Sequence, residues 1–149
     1  MTVRRLRSLN VTGNDVTGNC AGVFVVGDEN KPKTGALTVR GNRVAKNNKY
    51  CAKTERLPFL QGSGIVLTGT EKADVGGNTV TGNSGTSPAV RRHRALQELR
   101  GRHQRGQPRP RQRGAGQLPP ADLVNQENAK SGNTFQGNTC RTSKPAGLC

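Results

Sequence analysis

Apolar residues recur along this chain in short alternating runs, and each run ends at a glycine followed by an asparagine. Four stretches share the pattern V-x-G-N-x-[VF]-x-x-N, beginning at Val11, Val39, Val75 and Lys130, and only Lys130 breaks the first position. Because alternate positions are apolar, each stretch predicts two short strands with one face turned inward. The Gly-Asn between them predicts a corner, since both residues tolerate a positive φ that β-branched residues avoid.

A second, shorter apolar motif separates the copies, at residues 22–26 and 64–67. Strands this short cannot bury a face alone, but repeated units stacked on one another form a continuous narrow core. The pattern therefore predicts an all-β solenoid of about four coils. Stacked corners bring equivalent side-chain amides within hydrogen-bonding reach. We expect such a ladder at Asn14, Asn42, Asn78 and Asn133.

The G-N-x-V-x-x-N units and the interleaved G-[IV]-x-[VL] strands resemble the repeats of right-handed parallel β-helix proteins, the pectate-lyase-like superfamily. The resemblance covers about residues 9–83 and 120–149, and residues 137–149 look like the C-terminal end of secreted members. It implies a right-handed parallel β-helix, or the C-terminal piece of one. In the enzymes of this group, lyases use Asp clusters for calcium with an Arg or Lys base, and hydrolases use two or three Asp.

A basic segment at about 89–119 interrupts the repeat and divides the chain into three parts. Residues 1–88 form the first coils, and residues 120–149 form the last coil and a terminal cap. The whole chain has 24 Lys and Arg against 9 Asp and Glu, a formal charge of +15. Residues 91–113 hold nine of the arginines, both histidines and one acid. We expect this segment to be irregular, since it carries no repeat.

We predict that a shifted reading frame produced the basic segment. Permitted codons for residues 92–118, read one nucleotide out of frame, give G-I-V-L and then V-R-D-N-V-V-L-G-N, the two motifs missing there. Two compensating single-base shifts, near 88–91 and 117–120, account for this. The alternative is a selected segment that binds nucleic acid or another acidic polymer through its arginines. It lacks aromatic residues for base stacking, and Pro108 and Pro110 interrupt it, so we expect no specific nucleic-acid partner.

The four cysteines predict two disulfides. Cys20 and Cys51 occupy similar corners of adjacent coils, which lie ~4.8 Å apart, within disulfide range. Cys140 and Cys149 predict a terminal staple, and the alternative is four reduced thiols. An even count favours an oxidising compartment, and therefore a secreted or extracellular protein if the true N-terminus carries a signal peptide. None is visible in this chain, so we expect Met1 not to be the true start and upstream coils to be missing.

The sequence offers few candidate residues for catalysis or ligand binding. No spacing forces two carboxylates together, and we expect Asp15 to face outward beside Arg43 as a surface pair. We therefore predict no catalytic residue, metal or cofactor within this chain. No apolar run approaches the ~18 residues of a membrane span. In the loop at 48–63, Tyr50 and Arg56 are candidate sugar contacts, and the alternative is that the loop only covers the open side of a coil.

These observations predict a non-catalytic or incomplete right-handed β-helix repeat protein, secreted and associated with polysaccharide. The first alternative is a fragment of a polysaccharide lyase or glycoside hydrolase whose active coils lie upstream. The second is a basic nucleic-acid-binding protein acting through residues 91–113. The substrate and the oligomeric state stay open, because fold alone does not give function.

Overall fold

The computed structural model describes residues 1–27, 32–55, 59–85 and 120–149, and these residues form an all-β structure. Their helical content is a single 3-10 turn, Ala129–Ser131. The strands are β1 (Thr2–Arg4), β2 (Asn10–Thr12), β3 (Asp15–Thr17), β4 (Ala21–Val26), β5 (Thr34–Gly35), β6 (Thr38–Arg40), β7 (Arg43–Ala45), β8 (Ser63–Thr68), β9 (Thr70–Glu71), β10 (Asp74–Gly76), β11 (Thr79–Thr81), β12 (Ala121–Asn125), β13 (Thr134–Gln136), β14 (Thr139–Cys140) and β15 (Ser143–Lys144).

The strands of the described residues lie in parallel sheets, and neighbours within a sheet come from successive passes of the chain. One sheet has the order β1-β4-β8-β12-β15, the second β13-β10-β6-β2 and the third β14-β11-β7-β3. A short fourth sheet pairs β5 with β9. We call one passage through the three large sheets a rung, so β1, β2 and β3 form the first rung. Such stacking of equivalent strands is consistent with a β-solenoid.

The repeat places one inward side chain from each short strand in the core. Val39 lies opposite Val11 on one side and Val75 on the other, and Val75 lies opposite Phe135. A second column contains Val16, Val44, Val80 and Cys140 in the same way. The core is therefore narrow and consists largely of stacked valines, which explains how a chain with few apolar residues buries a continuous interior.

Glycine makes the corner between the second and third sheets possible. Gly13, Gly41, Gly77 and Gly137 precede the corner asparagines and have φ between 59° and 66°. A β-branched residue avoids this left-handed conformation, whereas glycine adopts it at no steric cost. The Gly-Asn pair of the sequence pattern is therefore a turn requirement that recurs in each rung.

The fourth copy of the repeat sits in a register different from the one expected. The motif alignment set Asn133 opposite Asn78, but Phe135 pairs with Val75, so Asn138 takes that corner. The physical reason lies in the residue that broke the pattern. Lys130 belongs to the exposed 3-10 turn, so it cannot supply the inward strand position that valine fills elsewhere. The next inward apolar residue, Phe135, takes that position instead.

The first sheet also has a buried outward face. Phe24, Val66 and Val124 alternate with the inward core residues and form a second apolar cluster with two alanines. Leu60, from the loop expected to cover the open side of a coil, packs against this cluster. Within the described ranges, no helix is long and apolar enough to cross a membrane.

Candidate functional site

Asparagine side chains at one corner form a ladder that runs through four rungs. Nδ2 of Asn14 donates to Oδ1 of Asn42 at 2.9 Å, and the step from Asn42 to Asn78 repeats that distance. Asn78 donates in turn to Asn138 at 3.0 Å. At each step the backbone N–H of the same asparagine also donates to that Oδ1. The Oδ1 atoms of Asn42, Asn78 and Asn138 thus each accept two donors from the preceding rung, and the buried amides of Asn42 and Asn78 are paired on both sides.

A second asparagine ladder stands at the next corner, where the expected ladder of Asn14, Asn42, Asn78 and Asn133 did not include it. Asn19 donates to Asn47 and Asn47 to Asn83, each from Nδ2 to Oδ1 at 3.1 Å. The signal for this ladder is the asparagine that closes each of the first three copies of the motif. At both of these corners, asparagine side chains therefore pair along the stack from rung to rung.

Asp122 ends the second ladder in place of an asparagine. Asp122 is buried, with 2% of its surface exposed. Oδ1 of Asp122 accepts two hydrogen bonds from Asn83, one from Nδ2 at 3.0 Å and one from the backbone N–H at 3.2 Å. Its Oδ2 accepts the backbone N–H groups of Arg141 and Thr142 at 3.1 and 3.3 Å. The carboxylate therefore joins the third rung to the C-terminal segment, and its acceptor capacity is fully used within the fold.

The register explains why an aspartate stands at position 122. The equivalent residues in the two preceding strands are Gly22 and Gly64. A Cβ at those glycines would lie 3.1 and 2.9 Å from Nδ2 of Asn47 and Asn83, so the ladder amide fills the space that a side chain would need. The second ladder would need an asparagine after β14 to continue into the fourth rung, and none directly follows that strand. The Asp122 side chain instead supplies the acceptor for the amide of Asn83.

Asn133, expected in the first ladder, has a different environment. Its Nδ2 donates to Oγ1 of Thr70 at 3.1 Å and to Oδ1 of Asn125 at 3.3 Å. Its Oδ1 accepts the backbone N–H of Ala73 at 3.0 Å. Asn133 therefore ties the third rung to the fourth at a corner of its own, beside the 3-10 turn.

Two disulfides join the cysteines in the pairs that the sequence predicts. The Cα–Cα distance is 5.8 Å for Cys20–Cys51 and 5.2 Å for Cys140–Cys149. Both distances fall in the ordinary range for a disulfide. The first fastens the loop after β7 to the corner between β3 and β4, and the second closes the C-terminal segment on β14. Two disulfides indicate an oxidising environment.

The loop after β7 presents an exposed aromatic ring on an anchored backbone. Tyr50 is 40% exposed, and its ring centroid lies 6.0 Å from that of Phe59 at a tilt of 32°. The next residue, Cys51, carries the disulfide and exchanges two backbone hydrogen bonds with Leu60, at 2.9 and 3.0 Å. Arg56, the second candidate sugar contact, lies outside the described residues. The backbone is thus anchored on both sides of Tyr50, and the Tyr50 ring contacts the ring of Phe59.

Among the described residues, three ion pairs lie on the outer faces, two between neighbouring rungs and the third, Arg7–Glu71, between the first rung and the third. Arg43 donates to Asp15 at 2.8 Å, as expected from the sequence. Arg40 holds Asp74 through two hydrogen bonds, at 2.8 and 2.9 Å. Such exposed pairs are screened by solvent and are more typical of a surface than of a catalytic centre.

The third pair changes the ionisation of its carboxylate. The hydrogen bond from Arg7 to Glu71, at 2.6 Å, lowers the pKa of that carboxyl, and the positive charges of Arg7, Lys72 and Lys33 act in the same direction. In the first rung, burial lowers the pKa of the Met1 amine, which donates to the backbone carbonyl of Gly22 in β4. Within the described ranges, no three His, Cys, Asp or Glu side chains are grouped as metal ligands.

The basic segment at 89–119, its predicted frame shift and both histidines lie outside the described residues. Comparisons of the chain with protein-family models, with curated proteins and with solved structures gave no match. Function is therefore inferred from this chain's own residues.

Proposed function

We propose that the chain is a non-catalytic right-handed β-helix repeat protein of the pectate-lyase-like kind, which acts outside the cell and binds polysaccharide. The parallel sheets, the repeated Gly-Asn corners and the asparagine ladders support the repeat architecture. The two disulfides support an extracellular place of action, because they persist where thiols are oxidised.

The exposed, anchored ring of Tyr50 is the observation that supports polysaccharide binding. A sugar ring has an apolar face of C–H groups, and a tyrosine offers a flat amphipathic surface of matching size. A ring held in place loses little conformational entropy on binding, so more of the contact energy appears as affinity. The Cys20–Cys51 disulfide and the two backbone hydrogen bonds between Cys51 and Leu60 fix the backbone that carries this ring.

Exposed lysines surround this ring in the sequence and add donors for sugar hydroxyl or carboxylate groups. Lys46, Lys49 and Lys53 are exposed, and Lys49 donates its backbone N–H to the carbonyl of Asn19 beside the disulfide. An ammonium group has three donors and no acceptor, so it suits hydroxyl oxygens and favours carboxylates more strongly. The Tyr50 surface therefore suits neutral glycans through stacking and acidic glycans through stacking and charge.

Binding to a panel of neutral and acidic polysaccharides tests the proposal. The intact protein is expected to bind at least one of them, and Tyr50→Ala is expected to weaken that binding about tenfold, from the loss of one stacked ring. Tyr50→Phe keeps the ring and should bind nearly as the parent does. Leu6→Ala removes a similarly exposed apolar side chain elsewhere and serves as the matched control.

Three results would overturn the proposal. The first is no binding to any member of the panel. The second is binding that Tyr50→Ala leaves unchanged while the variant keeps the thermal stability of the parent. The third is release of new reducing ends or unsaturated products from a bound glycan, which would establish catalysis instead.

A further inference from the structure

At the corner of the second ladder, the chain has a lysine where the neighbouring rungs have glycine. The residue before the ladder asparagine is Gly18 in the first rung, Lys46 in the second and Gly82 in the third. All three have a positive φ, of 70°, 52° and 66°. This left-handed conformation disfavours a side chain with a Cβ, whereas glycine adopts it freely. The turn itself therefore does not require Lys46, and its side chain needs another explanation.

The Lys46 side chain lies along the surface of the next rung. Its Cγ is 3.7 Å from the position that a Cβ would take at Gly82, so its stem occupies surface that the glycine leaves open. The backbone N–H of Lys46 donates to the carbonyl of Thr81 at 3.2 Å, which fixes the start of that stem. The lysine of the second rung therefore reaches over the third rung, in the direction of the fourth.

A second exposed cation stands at the same corner in the fourth rung. Arg141 directly follows β14, in the turn that leads from the third sheet to β15 in the first. Its backbone N–H donates to Oδ2 of Asp122 at 3.1 Å, which fixes its place at the corner. Successive rungs lie ~4.8 Å apart. Gly82, which has no side chain, is thus flanked by Lys46 on one side and Arg141 on the other.

These two cations differ from the arginines of the outer faces in having no acidic partner. Arg40 and Arg43 are each paired with an aspartate, but no carboxylate of the described residues forms an ion pair with the Lys46 or Arg141 side chain. Asp122 contacts the backbone N–H of Arg141 and not its guanidinium. The two like charges give the surface over this corner a positive potential that an anion from outside would neutralise.

The loop that carries Tyr50 starts at this corner. Asn48 lies between Lys46 and Tyr50 in the sequence, and its Nδ2 donates to the carbonyl of Gly82 at 3.0 Å. Its Oδ1 accepts the backbone N–H of Ser84 at 2.7 Å, so the start of the loop is held against the third rung. Four residues of extended chain span about 14 Å at most, which limits the Cα distance from Lys46 to Tyr50 to the length of a short oligosaccharide.

We propose that Lys46 and Arg141 form a subsite for a sulfate or phosphate ester group of the bound glycan, seated over Gly82. The proposal rests on the polysaccharide binding proposed for Tyr50, and it names the class of polysaccharide. Such an ester has three terminal oxygens that point in different directions, so it accepts from cations on opposite sides of the glycine. A carboxylate has two oxygens in one plane and suits one cation better than two on opposite sides.

One glucan in four forms tests the proposal: unmodified, sulfated, phosphorylated and carboxymethylated to the same degree. Binding of the intact protein is measured at physiological salt, because a chain with a formal charge of +15 attracts any polyanion at low salt. Lys46→Gly restores the residue of the neighbouring rungs, so its Tm should equal or exceed that of the parent. Lys72→Gly is the matched control, because it removes the same charge from another lysine with a positive φ, at a different corner.

At least one of the two esters is expected to bind about tenfold more tightly than the unmodified glucan, and more tightly than the carboxymethylated form. The comparison between the esters shows which of them the subsite takes. Lys46→Gly and Arg141→Gln are each expected to weaken ester binding about fivefold, whereas Lys72→Gly leaves it nearly unchanged. Equal losses from Lys46→Gly and Lys72→Gly would overturn the proposal, because attraction would then follow net charge alone. So would a carboxymethylated glucan that binds as tightly as the esters.

Tyr50→Ala separates the subsite from polysaccharide binding itself. If the unmodified glucan binds through Tyr50 and the ester groups add nothing, the subsite is wrong and the proposed function stands. If the esters bind through Lys46 and Arg141 while Tyr50→Ala changes nothing, the subsite stands and the role of Tyr50 is wrong. No binding to any of the four forms overturns the subsite, and the panel of neutral and acidic polysaccharides then decides separately on the proposed function.

Discussion

At the scale of single residues, asparagine is the side chain that allows a narrow apolar core to turn its corners. Its Oδ1 accepts two donors from one neighbouring rung, and its Nδ2 donates to backbone and side-chain acceptors on both sides. Leaving a buried polar group unpaired costs about 1–3 kcal/mol, so most buried polar groups have a partner. Asn42 and Asn78, each 1% exposed, meet this condition through contacts that no apolar residue can replace.

Replacing an interior ladder residue is therefore expected to be costly. Asn78→Ala leaves the backbone N–H of Asn42 and the carbonyl of Val39 without their partners in a buried corner, and the expected loss of unfolding free energy is about 3 kcal/mol. Asn14→Ala, at the open end of the same ladder, is the control and should cost about 1 kcal/mol or less. Urea unfolding measures both, and equal losses would contradict the ladder.

The glycine at position 64 leads to a second prediction. A Cβ there would lie 2.3 Å from the carbonyl oxygen of Asp122 and 2.4 Å from Cγ1 of Val80, so Gly64→Ala forces backbone or core to move. We expect a loss of about 2 kcal/mol or more. Gly76→Ala is the control, because its nearest atom, 3.1 Å away, belongs to the flexible end of Arg40. A Gly64→Ala variant as stable as Gly76→Ala would show that the strands are not stacked this closely.

At the scale of elements, the sequence predicts the features that recur in each rung, but not the features that occur in a single rung. The Gly-Asn corners and valine strands recur, so periodicity alone places the first three members of the first ladder. The fourth copy was misaligned because Asn133 and Asn138 both follow a glycine, and only packing decides that Phe135 fills the inward column. Asp122 belongs to no sequence motif. Its role as an acceptor follows only from the structure, where the second ladder has no asparagine in the fourth rung.

The two disulfides are expected to raise the free energy of unfolding by amounts that increase with the number of residues in the loop each one closes. Cys20 and Cys51 are 31 residues apart and Cys140 and Cys149 are 9 apart. The chain-entropy account gives roughly 3–4 kcal/mol for the first and about 2–3 kcal/mol for the second. Replacing both cysteines of each pair with serine and measuring urea unfolding checks this order. A larger loss for the C-terminal pair would show that it does more than close a loop.

At the scale of the whole molecule, the second and third large sheets share one register between the second and third rungs. The same offset relates the second rung to the third in two of these sheets, since Val39 pairs with Val75 and Val44 with Val80. The contacts of Asn42 with Asn78 and of Asn47 with Asn83 depend on this common offset. A slip of one residue in any strand would turn its valine outward and break the ladder at the same time. The burial of the valines and the asparagine hydrogen bonds therefore favour the same strand register.

The NOEs from the side-chain amide protons of Asn78 test this register most directly. The structure places Asn42 on one side of Asn78 and Asn138 on the other. We predict NOEs to both residues and slow exchange of these buried amide protons with solvent. NOEs to Asn133 in place of Asn138, or contact with no other asparagine, would contradict the stacked rungs and the ladders together.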